Sequence, residues 1–144
     1  MFTVTFGDKF ITGMVYGNIQ TSARPKFFKT QSEVDKFTKA IMAEGTRLVS
    51  RYTEYADAEQ KKVDKANKDM VRLTAKMAEL VELPYKDAVK KVASTKKSME
   101  NAQRYIKGNS IKSYRQSASR LQKILDRLQV VKVESVDVLA QMVV

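Results

Sequence analysis

Between residues 46 and 83 the chain carries neither glycine nor proline, and apolar side chains recur through it at helical spacing. One seam runs through Val34, Phe37, Ile41, Leu48, Tyr52 and Tyr55, and a second through Val63, Ala66, Met70, Leu73, Met77 and Leu80. The two are offset by about one residue in the heptad across the polar stretch ADAEQKKVDKANKD, residues 56 to 69. One helix with a stutter would satisfy that offset, as would two helices with a turn near 56–69. The absence of helix breakers, and the i,i+4 pairs Asp57 with Lys61 and Asp64 with Lys68, favour one neutral helix over 31–83. At ~1.5 Å per residue it would span about 80 Å. A single domain of 144 residues is too small to wrap that length, so part of the helix is expected to project or to pair with another chain.

The first thirty residues read as a small antiparallel meander. FTVTF alternates Phe2, Val4 and Phe6 against Thr3 and Thr5, the period of a half-buried strand, and Gly7-Asp8 is a two-residue turn into KFITGMVY. Gly17-Asn18 is a second turn signal, and RPKFFK, with Pro25 at its start, is expected to be the third strand. Thr30 followed by Glu33 forms a capping box for the first helix.

Pro84 ends that helix and suits the first turn of the next. Tyr85, Ala88, Val92, Thr95, Met99, Ala102 and Ile106 make one seam, and Ile111, Tyr114, Ala118, Leu121, Leu125 and Leu128 make another. Gly108-Asn109 separates them and Ser110 can cap the second, so residues 84–128 are expected to form a helical hairpin. Residues 129–144, beginning VVKVESVDV once Gln129 is passed, are β-branched and suit a strand returning to the meander. The expected fold class is therefore α+β and mostly helical. A small antiparallel sheet, built from the N-terminal meander and the C-terminal strand, carries long helices in a hairpin or bundle.

The net charge of +11 is unevenly spread, and nine of those charges fall within residues 84 to 128. A bias serving only solubility would be more even, so a localised basic surface is expected. At about 100° per residue, Lys86, Lys90, Lys97, Asn101 and Arg104 share one stripe opposite the first seam. Lys112, Gln116, Arg120, Lys123 and Arg127 share another opposite the second, with Arg115 flanking it. If both seams pack on the long helix, the stripes approach one another as a platform; if the seams face each other alone, they point apart. The candidate nucleic-acid-binding residues are thus Lys86, Lys90, Lys97, Arg104, Lys112, Arg115, Arg120, Lys123 and Arg127. Regular Lys and Arg can neutralise successive phosphates, while Ser113, Ser119, Gln116 and Asn101 offer neutral hydrogen bonds. Aromatics for stacking bases are scarce, because Tyr85 and Tyr114 fall on seams; Phe27 and Phe28 are the alternative pair.

Other classes fit less well. Without histidine or cysteine the chain lacks the commonest proton shuttle, thiol nucleophile and transition-metal ligands, and its five glycines are dispersed, so neither catalysis nor a cofactor is expected. Ser94 to Lys97 matches a serine-x-x-lysine spacing without companion motifs, and Asp64, Asp69, Glu79 and Glu82 sit among lysines that suit surface pairs better than a metal. No apolar run suits a membrane span or a signal peptide, so a cytosolic protein is expected. The long neutral helix, the twin seams and the apolar end LAQMVV also suit docking onto another protein or self-association, and the basic face could instead meet an acidic protein surface. Met70, Met77 and Met99 read as core filler.

GDKFITG, the Lys-Phe-Phe-Lys-Thr segment and the helix start SEVDKFTKAI together resemble the opening layout of small bacteriophage-encoded accessory proteins, over about the first forty residues. The resemblance implies a protein that acts by binding nucleic acid, or by binding and inhibiting a host protein, in a bacterial cytoplasm. It assigns no site residue.

Overall fold

The FTVTF alternation forms β1 (Phe2–Phe6), which turns into β2 (Lys9–Val15). Phe6 pairs with Lys9, leaving two residues for the turn, and Gly7 there takes φ +61°, a conformation a side chain disfavours. Val15 pairs with Asn18, the first residue of β3 (Asn18–Ser22), next to Gly17 at φ +77°. β4 (Leu128–Lys132) returns antiparallel to β1, completing a sheet of order β3-β2-β1-β4. These elements come from a computed structural model that describes residues 1–15 and 17–134. The rest of the strand expected over 129–144, with LAQMVV, lies outside the described residues.

The third strand is not where sequence placed it. RPKFFK contributes a single bridge, in which Phe2 and Phe28 exchange two backbone hydrogen bonds of 2.8 Å. Phe28 instead packs its ring on Phe37, with centroids 4.7 Å apart. The actual strand, NIQTS, is a sheet edge with little buried surface, so it carries almost no apolar alternation to read.

α1 (Gln31–Leu80) is one unbroken helix, which decides between the two readings of 56–69. Its start carries the Thr30 half of the expected box, with the carboxylate return shifted by one residue: Thr30 Oγ1 accepts the Glu33 N–H at 3.2 Å. Glu33 Oε2 reaches back to the Lys29 N–H at 3.1 Å. The offset between the seams is absorbed by two successive steps of four, Leu48 to Tyr52 to Ala56. Ala56 is fully buried where Tyr55 was expected, and Tyr55 is 44% exposed. A strict heptad drifts by ~20° around a straight helix, and one extra residue turns the seam back. Beyond it Val63, Ala66, Leu73 and Leu80 are buried as the spacing requires. α2 (Tyr85–Lys107) and α3 (Ile111–Arg127) follow.

The chain forms two compact units, Met1–Thr53 with the residues from Arg115 onward, and Glu54–Tyr114. In the first, the sheet packs on the early turns of α1 and on α3. Val4, Ile11, Val34, Ile41, Ile124 and Leu125 form the core, flanked by Phe2, Phe6, Met14, Ile19, Phe28, Phe37, Val49 and Leu128. Ile124 joins Leu121 and Leu125 on the buried face of α3, although the heptad reading left it out. Thr3, expected on a wet face of β1, is fully buried and its hydroxyl has no hydrogen-bond partner among the described residues. A buried hydroxyl left unpaired costs ~1–3 kcal/mol. Thr3→Val keeps the shape and removes it, so denaturant unfolding is expected to give a gain of about 1 kcal/mol.

In the second unit the later part of α1 packs against α2. Tyr105 donates its hydroxyl to Glu59 at 2.8 Å, and Tyr55 meets Tyr114 with ring centroids 5.4 Å apart. Burial of the Tyr105 phenol, and then the adjacent Glu59 carboxylate, raise its pKa above the ordinary tyrosine value. Gly108 N–H bonds to Arg104 O at 2.9 Å, closing α2. Asn109, not Ser110, supplies the side-chain cap for α3: its Oδ1 accepts the Ile111 N–H at 3.1 Å while its amide donates to Ile106 O at 2.8 Å.

Candidate nucleic-acid interface

The burial of Thr95, 3% exposed, with Ala88, Val92, Met99, Ala102 and Ile106 partly covered, fixes which face of α2 is dry. The opposite face is then wet, and Lys86, Lys90, Lys97 and Arg104 are all exposed on it. Lys112 is exposed in the first turn of α3, within the same unit. On α3, Ala118, Leu121, Ile124 and Leu125 are buried, and Arg115, Arg120, Lys123 and Arg127 are exposed within the first unit. The nine candidates are therefore divided between the units, five in the second and four in the first. Each of α2 and α3 packs on a stretch of α1 inside its own unit.

Some of the cations on α1 are paired locally. On α1, Arg47 pairs with Glu44, Lys62 with Glu59 at 3.8 Å, and Arg72 with Asp69 at 3.8 Å. Asp64 accepts from Gln60 at 3.0 Å. The Arg47 hydrogen bond, reinforced by its charge, lowers the pKa of Glu44 below the ordinary carboxylate value. Apart from Arg115, no candidate residue forms an ion pair among the described residues. Even Asp126, the carboxylate of α3, is taken by the Gln122 amide at 2.8 Å. The rows are also self-repelling: Lys86 with Lys90 and Lys123 with Arg127 stand at i,i+4, and Arg120 with Lys123 at i,i+3. Each such pair costs a few tenths of a kcal/mol, ~0.2–0.5.

The aromatics changed places. Tyr85, expected on the seam, is 85% exposed at the first position of α2, next to Lys86. It begins the helix, one turn before the buried seam is enclosed, and the exposed Val81, Leu83 and Val89 surround it in sequence. Of the alternative stacking pair, Phe27 is partly buried and Phe28 packs against the core, with the Lys26 ammonium 5.6 Å from its ring. Nothing in the pattern alone could have exposed Tyr85, because its spacing to Ala88 is that of the seam.

Met70, Met77 and Met99 are not filler inside a closed core. With Lys96, Glu100, Gln103, Arg104 and Lys107 they line an open groove of about 520 Å³ in the second unit. Among the described residues no three His, Cys, Asp or Glu side chains gather as a metal site, and no helix is long and apolar enough to cross a membrane. Compared with protein families, with curated proteins and with solved structures, the chain matches none.

Proposed function

We propose that the protein is a non-enzymatic nucleic-acid-binding protein that contacts phosphates through the exposed cation rows of α2 and α3. The observation that carries this reading is the concentration of exposed, mutually repelling cations on α2 and α3: nine of the eleven excess charges fall within residues 84–128, while residues 31–83 carry equal numbers of basic and acidic side chains. A polyanion relieves that repulsion and releases its own counterions. Lys86, Lys90, Lys97 and Arg104 form one track, Arg120, Lys123 and Arg127 the other, with Lys112 and Arg115 at the start of α3. Exposed Tyr85 at the head of the first track offers a face on which an unpaired base can stack.

The test is a salt titration of anisotropy with random-sequence single-stranded and duplex DNA and RNA. Log affinity is expected to fall linearly with log salt, with little sequence preference. No binding to any of them at about 50 mM salt overturns the reading. Tyr85→Ala is expected to lower single-strand affinity about fivefold, near the ~1 kcal/mol end of stacking contributions, and to leave duplex affinity unchanged.

A second reading draws on the methionine groove. An acidic amphipathic helix of a partner protein would set apolar side chains on Met70, Met77 and Met99 and carboxylates beside Lys96, Arg104 and Lys107. This suits an accessory protein of phage type that blocks a host protein, and a parallel pull-down from bacterial lysate distinguishes it from strand binding.

A further inference from the structure

The first unit holds a pocket between β3, α1 and α3. Asn18 and Ile19 from β3, Tyr52 from α1, and Ser117, Arg120, Leu121 and Ile124 from α3 enclose about 310 Å³. Its chemistry is one-sided. Arg120 is a cation with no ion-pair or hydrogen-bond partner among the described residues. No carboxylate lines the cavity, and the Ser117 hydroxyl and Asn18 amide add neutral donors. A guanidinium fork with two further donors can reach all three terminal oxygens of a phosphomonoester, whose charge at neutral pH exceeds that of a carboxylate.

The remaining wall is apolar and aromatic, from Ile19, Leu121, Ile124 and the ring of Tyr52. Volume near 310 Å³ lies at the small end of the ~300–1,000 Å³ range for organic ligands, and leaves room for a flat body beside the phosphate. We propose that this pocket binds a nucleotide carrying a terminal phosphate, either free or at the end of a strand. The phosphoryl group sits on Arg120, Ser117 and Asn18, and the base or sugar lies against Tyr52 and the aliphatic wall. The inference shares Arg120 with the strand-binding reading and otherwise stands apart from it.

The full chain is titrated calorimetrically with adenosine 5′-monophosphate, adenosine and inorganic phosphate, and by anisotropy with one oligonucleotide with and without a 5′-phosphate. The monophosphate, the phosphorylated oligonucleotide or both are expected to bind at least tenfold more tightly than adenosine or phosphate alone. Ser117→Leu, which fills the pocket, and Asn18→Ala, at an exposed turn, are each expected to remove most of that preference. Affinity for the unphosphorylated strand is expected to stay unchanged in Ser117→Leu. A preference confined to the phosphorylated oligonucleotide assigns the site to strand ends, and one confined to the monophosphate assigns it to free nucleotide. Equal binding of monophosphate and inorganic phosphate, or affinities untouched by both variants, overturns the proposal. Strand binding without a phosphate preference defeats the pocket alone; monophosphate binding without strand binding defeats only the strand reading.

Discussion

Lys123→Glu is expected to make the protein slightly more stable and a much poorer ligand for nucleic acid. In the native row Arg120, Lys123 and Arg127 repel one another at i,i+3 and i,i+4. A glutamate in the middle turns both repulsions into attractions, and the Glu-before-Arg order at i,i+4 is the better one. Each change is worth ~0.2–0.5 kcal/mol, and position 123 precedes the last turn of α3, where the helix dipole would oppose an acid most. Asp126, three residues on, repels the new glutamate by a similar amount, so the net gain is about 0.5 kcal/mol, a rise of a degree or two in Tm. For a phosphate track the same substitution removes the central cation and draws the flanking arginines inward. Affinity is expected to fall at least tenfold, and the slope of log affinity against log salt to flatten by about one for each phosphate no longer neutralised. A variant that gains stability and keeps the full salt slope would show that this row is only a solvated face.

The opposite signs of the two effects matter because they exclude the trivial outcome. A weakened binder that had simply unfolded would lose stability as well. Three ion pairs on α1, Arg47 with Glu44, Lys62 with Glu59 and Arg72 with Asp69, show what local matching at i,i+3 looks like. The rows on α2 and α3 lack that matching, although the same helix spacing would permit it.

Much of the architecture was legible because it rests on local chemistry. Gly7 and Gly17 take the left-handed conformations their turns demand, Thr30 and Glu33 make the predicted cap, and β4 pairs with β1. Where expectation failed, tertiary packing outweighed the local pattern. NIQTS is too polar to announce a strand and gains its place by pairing with β2, whereas the apolar Phe28 advertises a strand and is used as a plug on Phe37. Tyr55 and Tyr85 satisfy the seam spacing as well as their neighbours do. Ala56 replaces the first because the helix runs straight through the stutter, and the second begins α2 in the open. The cation rows could be placed from spacing alone, since a charged face opposite a dry one leaves little choice. Their division between two compact units could not, because it depends on where α3 passes from one to the other.

Gly45 is the position where a single side chain is expected to do most damage. It lies between Ile41 and Leu48 on the buried face of α1, at a spacing of four and then three, where a seam residue belongs. A Cβ added there would lie 2.6 Å from Leu125 Cδ2, 2.9 Å from Cδ1 and 3.1 Å from Cγ. Carbon atoms pack at ~3.5–4.0 Å. Leu125 cannot simply swing aside, because it is 4% exposed and held in the core with Val4, Ile11, Val34, Ile41 and Ile124. Alanine would recover ~1 kcal/mol of helix propensity against an overpacking cost of ~1–3 kcal/mol. Valine recovers less and adds two more carbons, so Gly45→Val is expected to cost about 3 kcal/mol or more. Leu125→Ala alone leaves a cavity and costs ~2–5 kcal/mol. Together, the valine occupies part of the space that the leucine vacates. Denaturant unfolding of the four proteins is therefore expected to give a favourable coupling of about 2 kcal/mol. Additive losses would mean that α1 and α3 do not meet at this residue, and the core of the first unit would have to be assembled differently.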